Sequence, residues 1–329
     1  MAIHMEKDPT EGQGGNENRR REGGGGGGLG GLTKFLPVVL FFLFKRPKLA
    51  IGLLLAAGVF YFMSGGDISS LTGGGGGENQ SSPLFMGADL NEEEYDKAMV
   101  YEPLAAGNNN QLPTKVSLME YAPKRLNQGR QGSCVGWSSA YAARTILHAK
   151  ATGQSPNTAT FSPSYLYNQI KLPSCQGAYI NNAMKTMRAT GGLPFQDFSY
   201  DEESCNREPS QSELTKGRNF RIKGYDRLSM DHDKYTVNSL AVKQNLAQGA
   251  PVVIGMMVGG TFMSGMYNKE VWNPSSSDYG QSGFGGHAMC VVGYDDNKSG
   301  GAFEIMNSWG ESWGKKGVGW VKYGDFKEF

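Results

Sequence analysis

The sequence predicts an α+β protein, and two contrasts along the chain carry that prediction. Helical signals crowd residues 133–190, whereas short apolar runs of strand length follow from residue 220 to the end. A helical half followed by a β half packs as two layers with a cleft between them. A third observation sets the limits of this domain: the glycine-rich, low-complexity sequence lies wholly before residue 112.

Residues 1–33 are rich in Gly, Asn, Glu and Arg and hold few apolar side chains. Such a segment cannot bury enough surface to offset its ordering entropy, so 1–33 is expected to be a disordered tail. Two apolar runs follow in 34–64. The first, 35–44, is interrupted by Pro37 and ends at Lys45-Arg46-Pro47-Lys48; the second, 49–63, carries no charge. Neither reaches the ~20 residues of a spanning helix alone, but Lys48 can snorkel, so one transmembrane helix is expected over about 48–64. Arg19, Arg20, Arg21, Lys34, Lys45, Arg46 and Lys48 precede that span, and the next basic residue is Lys97. The positive-inside rule then places the N-terminus in the cytoplasm and all that follows Ser64 outside, periplasmic or extracellular. A cleaved signal peptide is the competing reading; its basic region would be unusually long and its cleavage site weak. Residues 65–111 form a flexible linker and a short pre-domain segment, with an acidic patch at 91–100.

The globular part is expected over 112–329. Residues 133–150 read as a helix with Ser133 as N-cap and small side chains among Trp137, Tyr141, Ile146 and Leu147, the pattern of a buried helix. Residues 162–170 and 180–190 also read as helices. The runs 251–258, 289–294, 303–307 and 319–323 have buried-strand length.

Composition narrows the function. The net charge is +1, from 32 basic and 31 acidic side chains, so no global field recruits nucleic acid. Four cysteines without CxxC spacing and four histidines give no structural zinc motif, and no cofactor or metal is expected.

Three local patterns carry chemistry. Cys134 stands at the first turn of the helix expected at 133–150, where unpaired N–H groups and the macrodipole favour a thiolate, the nucleophilic form. A buried structural cysteine is the ordinary alternative. His287 opens an apolar strand through Gly285-Gly286, a position from which an imidazole can reach a cleft. Asn307, in Asn307-Ser308-Trp309-Gly310, can accept the second imidazole N–H and fix its tautomer.

Together these patterns resemble the papain-like (C1-type) cysteine peptidase family over about 112–329. The matching residues keep the family's order: Gln128, Cys134 six residues later, His287, then Asn307 in its Asn-Ser-Trp-Gly motif. The resemblance implies a two-lobed papain-like domain, one lobe helical and one β-barrel-like, with the active site in the cleft. It implies a cysteine endopeptidase acting on protein or peptide through an acyl-enzyme, with Cys134 as nucleophile, His287 as base and Asn307 as its orienting partner; the span expected over 48–64 would tether it to a membrane. Gln128 and the Cys134 N–H form the oxyanion hole, Gly177 and Ala178 bind substrate backbone, and Trp309 shields the His287–Asn307 bond. The family's local signature has a cysteine where this chain has Gln131 and an aromatic where it has Val135. Cys175 and Cys205 thereby lose their usual partners and either pair with each other or stay free. The short 83–111 stretch leaves no room for a family-type inhibitory prosegment. A thiol acyltransferase, a transglutaminase-like protein, a cell-wall peptide amidase and a non-catalytic binding module on the same fold are the alternatives.

Overall fold

In a computed structural model, the structure describes residues 2–7, 86–89, 95–101, 112–229 and 236–329. The stretch 34–64 lies outside them. Among the described residues no helix is long and apolar enough to cross a membrane.

Residues 134–152 form α1, which begins at Cys134–Gly136, widens to a π-helix over Trp137–Arg144 and finishes as Thr145–Thr152. Every residue of Trp137–Arg144 is buried, as its small side chains foretell. Ser133 stands at the N-cap, as expected, but its hydroxyl caps nothing. It lies 2.6 Å from the Tyr200 hydroxyl instead. Helix α2 (Pro163–Ile170) is capped by Ser162, whose hydroxyl accepts from the Tyr165 N–H, and α3 (Ile180–Ala189) packs beside it. Helix α4 (Gln211–Gly217) opens with a full capping box of Ser210 and Glu213.

The second half is a sheet of seven strands: β1 (Ala2–Lys7), β3 (Lys115–Ser117), β5 (Ile222–Arg227), β6 (Val252–Val258), β7 (Gly285–Asp295), β8 (Ala302–Met306) and β9 (Val318–Lys322). Their order is β5-β1-β6-β7-β8-β9, with β3 also on β7. Helix α5 (Ser239–Gln248), capped by the Asn238 side chain, links β5 to β6. Strand β7 is buried along most of its length, which explains its continuous apolar text. Short strands β2 (Ala88–Asp89) and β4 (Ala178–Tyr179) form a separate parallel pair.

Strand β1 corrects the sequence reading, which placed residues 2–7 in a disordered tail. It pairs antiparallel with β5 on one side and with β6 on the other. Ile3 and Met5, two residues apart and hence on one face, are buried to within 1% in the main core. Burying side chains of this size is worth about 1.5–3 kcal/mol each. Composition averaged over the tail hides this six-residue alternation. The remainder of 1–33 lies outside the described residues.

The pre-domain segment also docks. Tyr95 is fully buried. The Arg227 N–H donates to the Met99 carbonyl at 2.8 Å and the Tyr101 N–H donates to the Arg227 carbonyl at 3.0 Å.

Candidate active site

Two elements from opposite halves meet in the cleft. The first turn of α1 brings Cys134, fully buried, and the start of β7 brings His287, also fully buried. The Ala288 N–H, one residue past the histidine, donates to Cys134 Sγ at 3.4 Å.

Asn307 follows β8 and pairs with the imidazole: His287 Nε2 lies 2.8 Å from Asn307 Oδ1. An amide oxygen can only accept, so Nε2 carries the hydrogen and Nδ1 is left as the lone-pair nitrogen. Nδ1 has no hydrogen-bond partner. Asn307 Oδ1 is itself held by the Ser308 N–H at 2.7 Å. The Trp309 ring stacks on the imidazole at 4.2 Å between centroids and 20° between planes, and it is 1% exposed. Water is thus kept off the His287–Asn307 bond.

Burial sets the electrostatics. It pushes the Cys134 thiol up to about 11, against backbone N–H groups of Ala288, Gly87, Val135 and Cys134 that favour the thiolate. It pulls His287 down to about 4, against the bond to Asn307. Both groups are therefore neutral in this covered state.

Gln128 is buried beside this pair. Its Nε2 donates to the Gln131 carbonyl at 3.0 Å, and its Oε1 accepts from the Ser308 hydroxyl at 2.6 Å. The Tyr200 hydroxyl donates to the Gln128 carbonyl at 2.6 Å. Ser308 and Tyr200 were not singled out from the sequence; the serine inside the Asn-Ser-Trp-Gly motif was the available signal. Cys175 and Cys205, left open by the sequence, form a disulfide with Cα atoms 6.0 Å apart.

What covers the site is a short extended piece of the chain itself, which the sequence reading did not foresee. Residues 86–89 lie in the cleft between β4 and β7. The Gly87 N–H donates to the Gly286 carbonyl at 3.2 Å, and the Gly87 carbonyl accepts from the Ala178 N–H at 2.8 Å. Of the two residues expected to hold a substrate backbone, Ala178 holds this segment by its N–H and Gly177 lies against it. Gly87 sits so close to Gly132 that a Cβ would collide with the Gly132 carbonyl. A Cβ on Gly177 or Gly286 would likewise meet the carbonyls of Gly87 or Ala88. Beside Ala88 a cavity of about 470 Å³ opens, with Ile254, Met256, Gly286, Phe326 and Phe329 in its wall.

The cover gives a direct expectation. Gly87→Val forces the segment out and forfeits its two backbone hydrogen bonds, worth together about 2 kcal/mol. The rate of Cys134 alkylation in the full chain should rise roughly thirtyfold, read by mass spectrometry of the labelled peptide. An unchanged rate would mean that 86–89 does not guard the thiol.

A helical half and a β half with a buried thiol and an amide-held imidazole at their junction define the two-lobed architecture of a thiol peptidase. The chain belongs to the papain family of cysteine proteases: the family model described as "Papain family cysteine protease" matches residues 113–327. Among relatives, mouse (Mus musculus) cathepsin K is 29% identical over 201 residues, 60% of this chain and 55% of that protein. An uncharacterized peptidase C1-like protein of Acanthamoeba polyphaga mimivirus is 29% identical over 211 residues, 62% of this chain and 65% of that protein. The chain thus spans between about half and two thirds of the length of these relatives. Among solved structures, xylellain, a cysteine protease from Xylella fastidiosa, superposes with a TM-score of 0.59 at 24% identity, covering 76% of this chain and 93% of that one. The proform of the ragweed pollen allergen Amb a 11 superposes with a TM-score of 0.53 at 21% identity, covering 68% of this chain and 64% of that one.

Proposed function

We propose that this chain is a cysteine endopeptidase held latent by its own residues 86–89. The observation that carries the reading is the buried Asn307–His287 bond of 2.8 Å, set one residue from the amide that touches Cys134 Sγ. Once the cover leaves, water reaches the pair and Cys134 gives its proton to His287. The thiolate sulfur bonds to the scissile carbonyl carbon, and the oxyanion takes hydrogen bonds from the Cys134 N–H and the Gln128 amide, each such donor being worth on the order of 3–4 kcal/mol. The C–N bond breaks as His287 protonates the leaving amine. Water, deprotonated by the same imidazole, then cleaves the thioester and restores the thiol. Asn307 keeps the ring in register, Ala178 offers the substrate the N–H that now binds Gly87, and Gly177 leaves room for the substrate backbone beside it.

Membrane attachment belongs to the same reading and rests on the uncharged run 49–63.

The test is alkylation and peptide turnover in parallel on the Gly87→Val chain. Ordinary thiols, with pKa ~8.5, are nearly inert at pH 5, while an imidazolium-paired thiolate is not. Labelling of Cys134 at pH 5, together with cleavage of a peptide library, supports the reading. Labelling without peptide cleavage would favour an acyl-transfer enzyme of another class. No labelling in a folded chain would favour a binding module.

A further inference from the structure

The gap between β5 and β6 is filled by a strand from far away in the chain. β5 and β6 do not pair with each other; β1 lies between them, in register with Asp226 and Arg227 through His4 and Ile3 on one side and with Val252 to Ile254 through His4 to Ala2 on the other. Remove β1 and the sheet splits, leaving rows of unpaired backbone groups facing the gap from both neighbours. Ile3 and Met5 join the same core as Val252, Val253 and Ile254. Strand β6 in turn pairs with β7 at the catalytic end, Met256 opposite His287. So residues 2–7 are a built part of the lobe that carries the histidine.

This placement bears on which side of a membrane the chain's parts occupy. Strand β1 and the cover that contains β2 are both seated on one folded unit. We propose that residues 2–7 and the catalytic domain share one compartment. A single crossing by 48–64 would put β1 and its slot on opposite faces. The conclusion holds even when the strand comes from a second copy, because every copy has the same sidedness. The disulfide of Cys175 and Cys205 favours an oxidising compartment for the domain, and β1 then lies there too.

The experiment uses the full chain in sealed membrane vesicles of one orientation, in a Cys134→Ser, Cys290→Ser background. One arm adds a single cysteine, Asn16→Cys or Lys269→Cys, and applies a membrane-impermeant maleimide from outside. Both positions should label in the same vesicle orientation and both resist in the other; labelling from opposite faces overturns the proposal. The other arm introduces His4→Cys with Asp226→Cys, partners in the β1–β5 register. Oxidation should join them, as found by non-reducing peptide mapping, in one copy or between two. A chain that folds with its Cys175–Cys205 bond intact yet never forms this cross-link would remove β1 from the sheet and the proposal with it. Neither readout depends on peptidase activity.

Discussion

Cys134→Ala should abolish peptide hydrolysis, with a loss in kcat on the order of 10^6-fold, the scale seen when a peptidase loses its nucleophile. The physical ground is that the acyl bond forms on the thiol sulfur. Cys290, the other free cysteine, is buried in β7, and burial alone pushes its thiol up. His287→Ala should cost nearly as much, because the thiol then has no base and the leaving amine no acid. The double variant should be no worse than either single one, since the two groups act as a unit. Asn307→Ala should cost far less, because the Trp309 ring still stacks on the imidazole at 4.2 Å and limits its rotation. The measurement is kcat/KM on a fluorogenic peptide with the cover released by Gly87→Val, each variant checked for an intact fold. Residual activity in Cys134→Ala above that of buffer would remove the thiol from the mechanism.

The sequence was most legible at the site, where reactive side chains carry the information. Cys134, His287 and Asn307 could be ordered into one site because each sits in a short, chemically restrictive motif, and the structure brings Cys134 and His287 to the same cleft with Asn307 on the imidazole. The apolar runs at 251–258, 289–294 and 303–307 were visible because the strands there, β6, β7 and β8, are buried along most of their length. Other features were written in the backbone. The cover binds through Gly87, a residue with no side chain to read, and its partners Gly177 and Gly286 matter for what they lack. The strand β1 was lost because Ile3 and Met5 stand in a tail whose average composition is polar. Its stability comes from β5 and β6, more than 200 residues away. The sequence could not show that the side chain of Gln128 is turned toward the Gln131 carbonyl and tied to Ser308. Helix α4 was missed although its Ser210–Glu213 box is a plain sequence signal.

Opening should leave the proton count of the pair unchanged. With residues 86–89 in place, burial holds His287 at about 4 and raises Cys134 to about 11, so between those values the pair carries one titratable proton, on the thiol. In the open site that proton moves to His287 and the thiol becomes a thiolate. It is passed within the pair and none is taken from solvent, so by linkage the stability of the covered state does not change with pH while the open pair stays thiolate and imidazolium. The expected readout is a pH–rate profile for Cys134 alkylation in the full chain that is level between about pH 5 and 7. An ordinary thiol loses about tenfold in rate for each pH unit below its pKa. In Gly87→Val the profile should be level too and lie about thirtyfold higher, because the cover is displaced and the same pair reacts. A rate in the full chain that falls about tenfold per pH unit would mean that opening does not produce the thiolate–imidazolium pair.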